Sequence, residues 1–117
     1  MLTELVNNPA CIACGLCREA CPVFAILRQE RISPRGLALL ADQNITSLVF
    51  YQCTLCRSCR VVCPVGHDPN GEEIRSALTT QGVETEANRQ MIANIRACGN
   101  PFGELKEGEI PQKLYCC

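Results

Sequence analysis

Cysteine is the residue type on which the chemistry of this chain must rest, and its cysteines are not scattered. Eight of the 11 fall into two runs with one spacing: Cys11, Cys14, Cys17 and Cys21 followed by Pro22, and Cys53, Cys56, Cys59 and Cys63 followed by Pro64. The spacing C-x2-C-x2-C-x3-C-P holds cubane [4Fe–4S] clusters: three closely spaced thiolates cap one cluster and the fourth ligates the other. Two-residue gaps in a tight loop let three successive sulfurs converge, and the following proline turns the chain away with the fourth. The two runs therefore form one device for two [4Fe–4S] clusters. Cys11, Cys14, Cys17 and Cys63 are the expected ligands of cluster I, and Cys53, Cys56, Cys59 and Cys21 those of cluster II.

Structural zinc is the competing chemistry, because all-cysteine zinc sites also use C-x2-C pairs. Zinc takes four ligands from two pairs, however, and explains neither the third cysteine of each run nor the proline after the fourth. A disulfide scaffold fits less well again. Residues 1–9 carry no secretory apolar stretch, and cysteines this close in sequence suit a metal.

Other candidate groups are few. Arg18, Arg57 and Arg60 lie inside the runs, where cations would raise the potential of a cluster carrying about −2 to −3 charge. Ordinary solvated charge is the alternative. His67, the sole histidine, follows Pro64 by three residues. Eight thiolates already satisfy two cubes, so it reads as a helix-capping neighbour rather than a ligand. Cys98 reads as a small buried hydrophobe, while Cys116 and Cys117 are either part of a site completed by a partner or a reactive tail. No Ser/His/Asp set, phosphate loop or carboxylate pair appears, so no catalytic residue is assigned.

The elements that position the runs read as helices. Leu2, Leu5 and Val6 have helical spacing in a lead-in segment stopped by Asn7, Asn8 and Pro9. Residues 23–30 suit a short amphipathic helix. Ser33 and Pro34 are an N-cap and a first helical position, beginning a helix over Pro34–Asp42 that buries Leu37, Leu40 and Ala41. Residues 45–51 favour a helix started at Asn44 or Thr46, although their β-branched content would allow a strand. Asp68 or Asn70 caps a helix over Gly71–Thr80, with Glu72 and Glu73 complementing its dipole and Gly82 ending it. A further helix over 84–97 buries Met91, Ile92 and Ile95 and stops at Gly99, Asn100 and Pro101. Thirty-one residues, 22 to 52, separate the runs. That separation predicts an all-α architecture: an α-helical ferredoxin with two cluster-binding loops and a C-terminal helical extension, over 1–100, followed by an extended tail over 101–117.

Composition bounds the function. With 117 residues the chain has limited apolar surface to bury, and its 47% hydrophobic content includes the cysteines. Clusters must hold much of the fold together, so the apo chain is expected to be largely disordered. A net charge of −1 with no basic run gives no nucleic-acid footprint. No apolar window approaches the ~20 residues of a transmembrane helix. A cysteine-rich, metal-patterned chain without a leader is expected in a reducing cytoplasm.

These residues resemble a known family, the α-helical ferredoxin domain found in heterodisulfide reductase and in the iron–sulfur subunits of glycolate, lactate and anaerobic glycerol-3-phosphate oxidation. The likeness runs from about Pro9 to Gly103. It is carried by Cys14-Gly15-Leu16-Cys17, Ala20-Cys21-Pro22, Ser33-Pro34-Arg35-Gly36, Cys59 to Cys63-Pro64, Ile74-Arg75 and Gly99-Asn100-Pro101-Phe102-Gly103. The resemblance implies an electron relay between a flavoprotein and a Cys-rich module with Cys-Cys-Gly motifs. This sequence ends at Lys113-Leu114-Tyr115-Cys116-Cys117, about where that module begins in longer members. The module is then expected on another chain, with the tail docking on it, unless the chain is cut short. The expected function is thus an electron-transfer subunit of a cytoplasmic oxidoreductase complex, without a catalytic site of its own. An iron–sulfur redox sensor or adaptor, and a zinc-bound scaffold, are the alternatives.

Overall fold

A capping serine followed by proline fixes the element on which the first part of the chain is built. In the computed structural model, which describes Leu2 and residues 9–112, Ser33 Oγ accepts from the Gly36 backbone N–H at 2.9 Å. Pro34 occupies the first helical position. Along the chain run α1 (Cys17–Ala20), α2 (Pro22–Leu27), a 3-10 turn (Glu30–Ile32), α3 (Pro34–Asp42), a second 3-10 turn (Leu48–Gln52), α4 (Ser58–Val62), α5 (Gly71–Thr80) and α6 (Glu86–Cys98). No strand occurs among the described residues, so the fold is all-α. The chain divides into two compact units, Met1–Val83 and Glu84–Cys117.

In the first unit the core is made by the helices between and after the cysteine runs. Leu37 and Ala41 of α3, Ile74 and Leu78 of α5, Val49 and Phe50 of the second 3-10 turn, Ile32 and Leu2 form one buried cluster. Leu78 is fully buried. Gly36 makes the close approach possible: a Cβ there would lie 2.0 Å from the Glu30 carbonyl oxygen, so only glycine lets α3 seat against the first 3-10 turn. The Tyr51 hydroxyl donates to the Val83 carbonyl at 2.8 Å, tying the second 3-10 turn to the chain after α5. This small core holds the loops on either side of it. α1, from the first run, lies against α4, from the second.

The second unit is built on α6. Thr85 Oγ1 accepts from the Asn88 N–H at 3.1 Å, and Gly99, at φ 74°, ends the helix. The Asn94 side-chain amide donates to the Pro101 carbonyl at 2.8 Å, and Asn100 Oδ1 accepts from the Phe102 and Gly103 N–H groups.

Several expectations need correction. The helix expected over 45–51 is the 3-10 turn Leu48–Gln52, capped by Ser47, whose Oγ accepts from Val49 N–H. The helix expected from 84 begins at Glu86 with Thr85 as its cap. Its apolar stripe is not a core: Met91 and Ile92 are half-buried and Ile95 is exposed. Periodicity marks which face of a helix is apolar, but not what covers it. Cys98 is likewise exposed. Leu40 is partly rather than fully buried, and Ala38 joins Leu37 and Ala41 on the inner face of α3. Apart from Leu2, residues 1–8 of the lead-in segment lie outside the described residues, as do Cys116 and Cys117. Among the described residues no helix is long and apolar enough to cross a membrane.

Candidate iron–sulfur centre

The two cysteine runs adopt one backbone path. Ala13 and Leu55, at matching positions, have φ 56° and 58°, and Gly15 and Arg57 have φ 82° and 59°. Left-handed residues at these points curl each loop around its own sulfurs. Leucine, alanine and arginine accept a conformation that disfavours them. Each run then passes into a short helix, α1 or α4, which takes up four of the eleven positions of the first run and five of the eleven of the second. The backbone donors match as well. Ala13 N–H donates to Cys11 Sγ and Leu55 N–H to Cys53 Sγ, each at 3.4 Å. At the far ends, Phe24 N–H donates to Cys21 Sγ at 3.4 Å and His67 N–H to Cys63 Sγ at 3.3 Å. Donors to sulfur favour the thiolate that a metal requires.

Two cavities collect the eight thiols. The first, about 390 Å³, is lined by Cys11, Cys14 and Cys17 from the first run and by Cys63 and Cys59 from the second. The second, about 400 Å³, is lined by Cys53, Cys56 and Cys59 from the second run and by Cys21 from the first. Pro34, Pro69 and Cys59 line both, forming a largely apolar partition. Cys14 and Cys56, the second cysteine of each run, are exposed, whereas the other six are half-buried. Among the described residues, no three His, Cys, Asp or Glu side chains converge tightly enough to hold a single metal ion.

The electrostatics suit a cofactor that supplies positive charge to the sulfurs. Burial pushes the Cys59 thiol up to about 11, with the neighbouring Cys53 adding to the rise. Burial likewise raises Cys17, opposed first by the backbone N–H of Arg35. Cluster iron held by these sulfurs would favour their deprotonated form. Cys56 is shifted the other way, held below the usual thiol range chiefly by the Ser58 hydroxyl, 3.5 Å from its sulfur. The donor set, sulfur-directed N–H groups and paired cavities thus fit [4Fe–4S] clusters.

Charged side chains hold the loops. Arg35 donates from Nη1 to the Ala13 carbonyl at 3.1 Å and from Nε to Glu30 at 2.7 Å. Arg18 joins the same carboxylate at 3.2 Å. With Arg35 first, then Ser33 and Arg18, as its donors, Glu30 is held down at about 2. In the second loop Arg75 donates from Nε to the Phe50 carbonyl at 3.1 Å and from its terminal nitrogen to the Cys53 carbonyl, while lying over the Tyr51 ring. Arg57 pairs with Glu72 at 3.5 Å and Arg60 with Asp68 at 3.1 Å. Sequence reasoning singled out Arg18, Arg57 and Arg60, inside the runs, but assigned no role to Arg35 or Arg75, which reach the loops from the following helices. Their positions in the first turn of α3 and in α5 were the available signal. His67 is not a capping neighbour. It is buried, its Nδ1 lies 2.8 Å from the Pro9 carbonyl, and its Nε2 is buried with no protein partner.

Comparison with known proteins agrees with this site. The family model described as 4Fe-4S dicluster domain matches residues 8–67. The glycolate oxidase iron-sulfur subunit of Escherichia coli (strain K12) is 34% identical over 65 residues, covering 49% of this chain and 16% of that protein. The fumarate reductase iron-sulfur subunit of Mycobacterium tuberculosis is 34% identical over 84 residues, covering 59% and 34%. An F(420)H(2) dehydrogenase subunit of Methanosarcina mazei is 30% identical over 69 residues, covering 55% and 18%. The chain therefore spans about a third or less of the length of each of these relatives.

Proposed function

The chain belongs to the 4Fe-4S dicluster domain family, and we propose that it is the electron-transfer iron–sulfur subunit of an oxidoreductase complex. It relays single electrons through two [4Fe–4S] clusters between a flavoprotein and a Cys-rich partner of the heterodisulfide reductase type. Cys11, Cys14, Cys17 and Cys63 hold one cluster, and Cys53, Cys56, Cys59 and Cys21 hold the other. The observation that carries this reading is the crossed lining of the cavities: each gathers the first three thiols of one run and the fourth of the other.

The clusters supply one-electron redox chemistry when bound, and the chain's residues supply the rest. The sulfur-directed N–H groups of Ala13, Leu55, Phe24 and His67 stabilise thiolate ligands. Pro34 and Pro69 present apolar surface to both cavities. Exposed Cys14 and Cys56 bring each site to the surface, where a donor and an acceptor can approach. Support for a flavoprotein partner comes from relatives named as subunits of glycolate oxidase, fumarate reductase and F(420)H(2) dehydrogenase. The Cys-rich partner rests on the sequence resemblance.

Iron and acid-labile sulfide analysis of anaerobically purified protein tests this reading. Two complete four-thiolate sets predict about eight of each per chain and a broad visible absorbance that bleaches with dithionite. A stoichiometry of about four would remove one cubane site, and a colourless zinc protein would remove both.

A further inference from the structure

All but two of the arginines in the first unit are engaged. Arg18 and Arg35 bind Glu30, Arg57 faces Glu72, Arg60 faces Asp68, and Arg75 spans the Phe50 and Cys53 carbonyls. Arg28 and Arg31 pair with no carboxylate among the described residues. Both are exposed, one at the C-terminal end of α2 and the other in the 3-10 turn that follows. The stretch 17–35 holds four arginines against Glu19 and Glu30, a balance of +2 within a chain of net −1.

The two guanidinium groups are held in place. Arg28, left-handed at φ 51°, lies over the Phe24 ring at 5.8 Å, and Arg18 lies over the same ring at 5.4 Å. Arg31 Nε donates to Gln29 Oε1 at 2.8 Å, a neutral partner that leaves its charge uncompensated. Beside them α2 turns apolar side chains outward. Ile26 is 81% and Leu27 45% exposed, and Phe24 is the one buried residue of this helix. An apolar centre rimmed by preorganised cations is suited to docking another protein. Its place in the fold fits a relay. α2 starts at Pro22, next to Cys21, and its Val23 lines the second cavity together with Cys21. A helix of six residues spans about 9 Å, so the exposed end of α2 lies within about one short helix of that cavity.

We propose that Ile26 and Leu27, rimmed by Arg28 and Arg31, dock an acidic electron-carrier protein whose apolar contact area is ringed by carboxylates, bringing it to the cluster of the second cavity. Opposite charges steer the encounter, and the apolar centre holds it. One electron then crosses between the cluster and the carrier's redox group. The group that gives it is oxidised and the other reduced, with no bond formed or broken. The inference rests on the two-cluster reading above.

The test is stopped-flow oxidation of the dithionite-reduced holoprotein by plastocyanin, an acidic one-electron acceptor. Each transfer oxidises one cluster and reduces copper(II) to copper(I). About eight irons and two electron paramagnetic resonance signals in the starting protein establish the two-cluster reading, and a single signal fails that reading before any rate is measured. Reversing both charges, Arg28→Glu with Arg31→Glu, should slow plastocyanin about tenfold at low salt, with the difference closing at high salt. Oxidation by a small uncharged quinone should be unchanged. Ile26→Ser should slow plastocyanin at every salt concentration. Arg28→Lys with Arg31→Lys should keep the rate. Residues 1–83 contain no native lysine, so this variant should also gain a carbodiimide cross-link from α2 to a plastocyanin carboxylate. The proposal is overturned if the double reversal reacts with plastocyanin at the native rate, if it slows the quinone equally, or if the lysine variant cross-links only through Lys106 or Lys113. Binding to phosphatidylcholine–phosphatidylglycerol vesicles that the double reversal abolishes, with the plastocyanin rate unchanged, would also overturn it and assign the surface to a lipid.

Discussion

His67 Nδ1 and the Pro9 carbonyl oxygen stand 2.8 Å apart, bridging 58 positions of sequence. A carbonyl only accepts, so Nδ1 carries the proton and donates. The contact pins the segment before Cys11 to the end of the second run, while the His67 backbone N–H holds Cys63 Sγ. His67→Leu removes the donor, and because Pro9 is exposed and water can take its carbonyl, the loss is that of one hydrogen bond, about 0.5–1.5 kcal/mol. We expect a lower thermal midpoint and faster iron release to a chelator, with His67→Asn, which keeps a donor, recovering part of both.

Arg75 plays the corresponding part for the second loop by holding the Phe50 and Cys53 carbonyls together. A lysine cannot donate in two directions from a rigid fork. Arg75→Lys should therefore destabilise the holoprotein by about 1.5–3 kcal/mol, the range for hydrogen bonds to charged groups. In chelator challenge, half of the iron should leave early. Uniform release of all the iron would show that Arg75 supports the core rather than this loop.

Glu30 predicts a pH dependence. Arg35, followed by Ser33 and Arg18, holds its carboxyl at about 2 against an ordinary value of 4.5. The folded state thus binds a proton less readily than the unfolded state. The resulting stabilisation is fully present above about 4.5 and is lost as pH falls towards 2. Glu30→Gln should lower stability to denaturant at about pH 7, and its difference from the unmodified protein should narrow below about pH 4.5. A difference that stays constant with pH would assign the effect to packing.

Two glycines separate backbone strain from steric exclusion. At Gly66, with φ +71° and open space around it, an added Cβ meets only the left-handed penalty of about 1–2 kcal/mol. At Gly36 the Cβ would lie 2.0 Å from the Glu30 carbonyl, and backbone cannot yield as a flexible side chain can. Gly36→Ala should lower the thermal midpoint more than Gly66→Ala. The reverse order would mean that α3 has room to shift away from the first 3-10 turn.

Much of this was legible because it is local. Ser33-Pro34 marks a helix start, and both Pro34–Asp42 and Gly71–Thr80 occur with the expected bounds, although Asn70, at the N-cap of the second, is left-handed and its side chain makes no capping hydrogen bond. Eight thiols at a fixed spacing announce their cofactor. What the sequence hid is long-range or conformational. The matched left-handed residues are concealed because Ala13 and Leu55 are not turn formers, and because Gly15 is answered by Arg57. Arg35 and Arg75 clamp carbonyls 22 positions away in sequence, which no periodicity can reveal. His67 could be read as a helix-capping neighbour only while its partner, Pro9, remained unknown. The stripe of α6 shows the converse: an apolar face without a buried residue.

Crossed ligation is the claim on which the rest depends, and replacing one thiol tests it most directly. Cys21 belongs to the first run but lines the cavity of Cys53, Cys56 and Cys59, whereas Cys14 lines that of Cys11, Cys17 and Cys63. In electron paramagnetic resonance of the reduced protein, Cys21→Ser should alter one cluster signal and Cys14→Ser the other. If both substitutions alter the same signal, each run holds its own cluster and the crossed assignment is wrong.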